Sequence, residues 1–244
     1  MSDTRSSLLE DARSFFALVS AHARRAARQS ATRPDAVPVL LIPGLMAGDW
    51  TMSMLAGELE RSGHPTVRAG IGINVGCTRE MVTRLEERLI AASTTFGRRV
   101  AVVGWSRGGA LGKLVAMRRP EAVSALIALA SPNVDPLAVS PKVERQVRVL
   151  TWMHAMGASG VMSDDCVRGQ CAHDMFSALS APFPATIPYT AFYSRRDTIV
   201  DWRACCDPAA ELVEVSASHL SIATNPVVIA TMKARLAGVV SRAA

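Results

Sequence analysis

The stretch that most limits what this chain can fold into is Gly104-Trp105-Ser106-Arg107-Gly108. It lies between an apolar run at Val100–Val103 and a helix-patterned stretch from Ser106 to Arg119. A backbone that leaves a buried strand and enters a helix within one residue must turn through a sparsely allowed conformation. Side chains on either flank of that turn would collide, so glycine is required on both sides, which is the G-x-S-x-G pattern. The same turn sets Ser106 near a helix N-terminus, where free N–H groups and the helix dipole favour negative charge. G-x-S-x-G is common by chance, and the strand before it and helix after it are what give this copy weight. Gly109 and Gly112 extend the small-residue face, as close packing of a helix on a strand requires.

The remainder of the chain repeats the strand-then-helix rhythm. Val37 to Ile42 is a short apolar run followed by the loop PGLMAG. Thr51 to Arg61 reads as a helix stopped by Ser62-Gly63, and Pro65 to Arg68 as a strand. Thr78 to Thr95 is amphipathic, with Met81, Leu85, Leu89 and Ala92 on one face and Gly97 closing it. Ala125 to Leu129, Tyr189 to Tyr193 and Leu212 to Val215 read as further strands. Asn225-Pro226 supplies a capping residue and a first-turn proline for a final helix. The strand runs are apolar throughout rather than alternating, which predicts a mostly parallel, doubly wound α/β sheet covered on both faces. Between Pro132 and about Pro188 the rhythm breaks for too long to be an ordinary loop. Residues of about 133–187 therefore read as a helical cap insertion, with a helix near Pro141 to Met156. It is rich in Met and aromatic side chains (Trp152, Met153, Met156, Met162, Met175, Phe176, Phe183) that either form the cap's own core or line an acyl site.

The division expected is an N-terminal basic amphipathic arm, residues 1–35, and one domain over residues 36–244. In the arm, Leu8, Leu9, Ala12, Phe15, Phe16 and Val19 fall at helical spacing beside Arg13, Arg24, Arg25 and Arg28. That combination suits a helix packed on the domain or one resting on an anionic membrane surface. The net charge of +6 comes from 27 basic residues, of which only Lys113, Lys142 and Lys233 are lysine. Outside the arm the arginines are scattered among acids, without the clustered basic face that nucleic-acid binding needs. No uncharged apolar run approaches the roughly 18 residues of a membrane span. Five cysteines (Cys77, Cys166, Cys171, Cys205, Cys206) are an odd number, and the opening MSDTRSSLLEDAR does not resemble a signal peptide, so a reducing cytoplasm is expected. A Cys166–Cys171 bridge is conceivable. A zinc site from Cys166, Cys171, Cys205, Cys206 and His173 fits no usual spacing.

A nucleophilic serine needs a base, and the base needs an orienting acid. In a strand–turn–helix context the chain order is serine, acid, histidine. His219, in VEVSASHLSI, is the only histidine after the acid candidates at the end of the YTAFY strand, and His22, His64, His154 and His173 all come earlier. Asp197 stands nearest that strand's end, with Asp201 and Asp135 as alternatives. Oxyanion donors are expected from the backbone N–H of Arg107 and of Leu45 (or Met46), where Gly44 allows a sharp turn.

These residues together resemble the α/β-hydrolase family, above all its small bacterial lipase- and esterase-like members. The resemblance runs from about Val37 to Val240 and rests on PGLMAGDW, GWSRGG, YSRRDTIV and the SASHLSI histidine. It implies a catalytic triad of Ser106, Asp197 and His219, with oxyanion positions at Leu45 and Arg107. Where many lipases carry His-Gly in the first motif, this chain has Pro43-Gly44. The implied activity is cleavage of a small-molecule carboxylic ester through an acyl-enzyme, without metal or cofactor. An acyltransferase or thioesterase would use the same residues, and a non-catalytic binding protein of this fold would have no use for them. The loop Gly70-x-Gly72-x-x-x-Gly76 misses the dinucleotide spacing by one residue, and no Tyr-x-x-x-Lys follows, so a nicotinamide cofactor is not expected.

Overall fold

The computed structural model describes residues 36–243, so the N-terminal arm expected at residues 1–35 lies outside the described residues. Six strands form one sheet: β1 (Val39–Ile42), β2 (Thr66–Arg68), β3 (Val100–Trp105), β4 (Val123–Leu129), β5 (Tyr189–Tyr193) and β6 (Glu211–Glu214). Their spatial order is β2-β1-β3-β4-β5-β6, and every pairing is parallel. The expected doubly wound α/β architecture is what the chain adopts. The central strands β1, β3 and β4 are buried along their whole length, as their unbroken apolar runs require. At the edge, β6 is largely exposed and carries Glu211 and Glu214, so there the run is not apolar throughout. An edge strand needs charge to discourage pairing with another chain.

Six longer helices cover the two faces or build the insertion. They are α1 (Ser53–Arg61), α2 (Thr78–Phe96), α3 (Arg107–Arg118), α4 (Pro141–Ala155), α6 (Gln170–Ser180) and the C-terminal α7 (Pro226–Ala243), with the single-turn α5 (Asp165–Arg168) between α4 and α6. Side chains alternate across each strand. Leu40, Ile42, Val100, Val102, Leu126 and Ala128 therefore meet α2, α3 and α6 on one face. Val39, Leu41, Ala101, Val103, Ile127 and Leu129 meet α1 and α7 on the other. Helix ends fall where the local chemistry stops them. Gly97 takes the left-handed conformation (φ 61°) that closes α2. Asn225 Oδ1 accepts the Val227 N–H at 2.9 Å at the start of α7.

The insertion between β4 and β5 carries three helices where the sequence pattern gave one. Its α5 and α6 were not anticipated: α5 is a single turn, and α6, although Cys171, Ala172, Met175 and Leu179 fall on one helical face, is 11 residues long and begins after Gly169 without a capping side chain. No helix among the described residues is long and apolar enough to cross a membrane.

The strand order reverses between β1 and β3, since β2 lies outward of β1 and β4 outward of β3. At such a switch point the loops leaving two neighbouring strands run to opposite sides and open a crevice at their carboxyl ends. Here those loops are Pro43–Ala47 and the Ser106 turn.

Candidate active site

Ser106 occupies the turn between β3 and α3 with φ 54° and ψ −126°. For a residue with a Cβ this is a strained conformation, worth of order 1–3 kcal/mol, and the surroundings hold it there. A Cβ on Gly104 would stand 2.3 Å from the Gly108 oxygen, and one on Gly108 2.3 Å from the Ile42 oxygen. Both glycines are therefore steric necessities. The Ser106 N–H donates to Leu129 O at 2.8 Å, which fastens the turn to β4.

Asp197 follows β5 and His219 follows β6, so both stand at the same carboxyl edge as Ser106. His219 Nδ1 lies 2.7 Å from Asp197 Oδ2, and both side chains are nearly fully buried. The second carboxylate oxygen, Oδ1, accepts the N–H groups of Ile199 (2.8 Å) and Val200 (3.0 Å), so the carboxylate cannot swing away. Asp201 instead accepts from Arg203 N at 3.0 Å and Asp135 from Leu137 N at 3.0 Å, each capping its own loop. Trp105, the residue before the serine, donates its Nε1–H to His219 O at 3.1 Å. Its ring centroid is 5.9 Å from that of His219. The histidine is thus anchored to the end of the strand that carries the serine. Of the other histidines, His64 accepts from Val37 N at 3.2 Å, His154 and His173 lie on α4 and α6, and His22 falls outside the described residues.

Around Leu45 the two alternatives separate. Met46 N–H donates to Asn74 O at 3.0 Å and is therefore committed. Asn74 was not singled out from the sequence, yet it holds this region together. It is fully buried. Its Nδ2 donates to Pro43 O at 2.8 Å and its N–H to Ala47 O at 2.8 Å, while its Oδ1 accepts from Arg107 Nη1 at 2.5 Å. The only sequence signal was the glycine-rich loop containing it. That loop serves as a brace for Pro43–Ala47, and Gly48 packs so closely on it that a Cβ would lie 1.8 Å from Gly72 O.

The Arg107 side chain has a larger part than its backbone alone would suggest. Its Nη2 donates to Gly76 O at 2.7 Å and to Thr78 Oγ1 at 3.1 Å. Burial pulls the guanidinium down to about 10, against the opposing pull of the nearby Cys166, Cys77 and Cys171 sulfurs, so it stays charged at neutral pH.

Ser106, Leu45 and Arg107 line a cavity of about 440 Å³ whose wall is mostly apolar, with Leu111, Val147 and Met175 among the contributors. Asp197 and His219 are not part of its wall. Met162 and Met175 are buried on it, whereas Trp152 and Met153 on α4 and Met156 just after it are exposed, so the insertion's apolar side chains divide between cavity and surface. Cys166 and Cys171 are not bonded to each other. Cys171 Sγ instead faces Cys77 Sγ at 3.7 Å, and Cys205 and Cys206 lie apart in the turn before β6.

No protein-family model matches the chain, and no curated protein does. Solved structures do match. The mature form of the Bacillus licheniformis lipase BlEst2 superposes with a TM-score of 0.65 at 15% identity, over 86% of this chain and 95% of that one. A 2-hydroxy-6-oxo-6-phenylhexa-2,4-dienoate hydrolase from Rhodococcus sp. strain RHA1 gives 0.58 at 18% identity, over 84% and 92%. A soluble variant of monoglyceride lipase from Saccharomyces cerevisiae gives 0.55 at 15%, over 87% and 88%.

Proposed function

We propose that this chain, which has the α/β-hydrolase fold, is a serine hydrolase that cleaves carboxylic esters through an acyl-enzyme on Ser106. The observation that carries the reading is the buried His219–Asp197 pair at 2.7 Å, set at the same sheet edge as a strained serine elbow that opens on an apolar cavity. With Nδ1–H donated to Asp197, the imidazole keeps Nε2 free to accept a proton. His219 takes the Ser106 hydroxyl proton as Oγ attacks the ester carbonyl, and Asp197 steadies the imidazolium. The tetrahedral oxyanion is received by two backbone N–H groups. Arg107 N–H belongs to the first turn of α3, whose N–H groups have no intrahelical acceptor. Leu45 N–H is the second donor, since Met46 N–H is already committed to Asn74. His219 then gives its proton to the departing alkoxide. Water deprotonated by the same imidazole releases the acid and restores the serine.

The cavity favours an acyl group that is mainly hydrocarbon. Its apolar wall is joined by charged side chains, among them Glu144, Arg148 and Asp164. The lipase and hydrolase names among the matching structures agree with small ester-like substrates. The test is a panel of esters and thioesters of increasing acyl length, run on the wild type and on Ser106→Ala, with added alcohol acceptors in a parallel series. Loss of turnover by about 10⁴-fold or more in Ser106→Ala is expected. Ester turnover retained by a clean Ser106→Ala preparation would overturn the reading. Transfer to the acceptor in preference to water would move it to an acyltransferase.

A further inference from the structure

Cys77, Cys166 and Cys171 reach one point from three places: the residue before α2, the single turn α5 and the second position of α6. Their sulfurs all lie within 4.8 Å of one another. The Cys77–Cys171 separation is 3.7 Å, nearly twice the roughly 2.05 Å of a disulfide. It is close to the edge of a tetrahedron whose sulfurs stand about 2.3 Å from a central ion, which is about 3.8 Å. Among the described residues no His, Asp or Glu joins the group.

A fixed positive charge sits beside these sulfurs. The half-buried Arg107 side chain donates to the Asn74 and Gly76 carbonyl oxygens, the Asn74 side-chain oxygen and the Thr78 hydroxyl, all neutral. The titratable groups that act on it are the three cysteines. A cation partly withdrawn from water without a carboxylate beside it carries a desolvation cost. Three thiolates around a divalent ion carry a net charge of −1, which that cation would balance.

We propose that Cys77, Cys166 and Cys171 bind one thiophilic divalent cation of the zinc class as three thiolates, with Arg107 offsetting the residual negative charge. Each thiol gives its proton to solvent as its sulfur–metal bond forms, so three protons leave for each ion bound. Cys166 lines the cavity, so a water molecule completes the fourth position from that side. The ion ties the start of α2 to α5 and α6, and so fixes one wall of the cavity. Its role is that of a clip, and it does not depend on the chemistry proposed for Ser106.

The test uses the full chain, reduced and metal-free, titrated with Zn²⁺ against a chromophoric chelator and separately with Co²⁺. One ion per chain is expected, with a sulfur-to-cobalt charge-transfer band in the near ultraviolet. Bound Zn²⁺ should shield Cys77 and Cys166 from alkylation while Cys206 still reacts. Cys77→Ser, Cys166→Ser and Cys171→Ser should each weaken binding by roughly a hundredfold or more, with Cys206→Ser unchanged. The wild-type titration decides the matter even if a variant fails to fold. Absence of stoichiometric uptake by the reduced wild type, or a charge-transfer band that survives in all three variants, would overturn the site.

Discussion

Asn74 shows how one buried side chain can brace a candidate site from outside its cavity. Its amide bridges Pro43 O and the Arg107 guanidinium, and its backbone pairs with Met46 and Ala47. The loop that carries Leu45 and the helix start that carries Arg107 are thereby held at a fixed separation. Asn74→Ala removes the amide and leaves the backbone bonds in place. Steady-state kinetics should show kcat reduced by about ten- to a hundredfold with KM nearly unchanged, short of the roughly 10²–10³ that follows loss of an oxyanion donor itself. A change confined to KM would instead place Asn74 in ground-state binding. Gly104 gives a complementary expectation. Gly104→Ala forces its new methyl into the Gly108 backbone. The elbow cannot relax without moving Ser106, so the variant should lose activity and several kcal/mol of stability, read by chemical denaturation.

Between elements, one charged tie is buried almost completely. Lys113 on α3 donates to Asp207 Oδ2 at 2.5 Å and to Leu179 O at 2.8 Å at the end of α6. Tyr189 OH on β5 lies 3.4 Å from the same carboxylate oxygen and accepts from Asn133 Nδ2 at 2.6 Å. The tie joins the helix after the serine, the insertion, β5 and the turn before β6. Burial and the neighbouring Asp207 charge push the Tyr189 hydroxyl well above its usual range, so it stays neutral. Both charged side chains are almost entirely excluded from solvent, so removing one strands the other. Asp207→Ala should cost about 3–5 kcal/mol in urea unfolding. The double variant Lys113→Met, Asp207→Leu should recover most of that loss. Equal losses in both would show that shape, not charge, holds this junction.

For the whole molecule, the described residues already supply both core clusters and every residue of the proposed site. A chain beginning at Thr32 should therefore keep its ester kcat and KM. Binding of the full chain to anionic vesicles, if present, should vanish in the shortened one and weaken with salt. A collapse of kcat on truncation would mean that residues 1–31 contribute to the site.

The parallel sheet, its helices and the serine turn were legible in the sequence because each rests on local rules. Unbroken apolar runs demand burial on both faces, and a strand that becomes a helix at one residue demands glycine beside it. Chain order then selected Asp197 and His219, which the fold brings to 2.7 Å. Other features depended on residues far apart in sequence. Asn74 reads as an ordinary loop residue until β1 and β3 set Pro43 and Arg107 on either side of it. Cys77 stands 94 residues from Cys171 and has no motif in common with it, and the one grouping weighed from the sequence, Cys166 and Cys171 with Cys205, Cys206 and His173, fits no usual metal-site spacing. Helix α6 is short and starts without a capping side chain, so its boundaries were set by packing against α2 and α3. What the sequence by itself determined was the set of elements and the strained serine between two of them, because backbone sterics and burial act over a few residues. Which distant side chains brace that serine, and which sulfurs converge beside it, was decided only when the sheet's strand order reversed between β1 and β3 and drew those loops into one crevice.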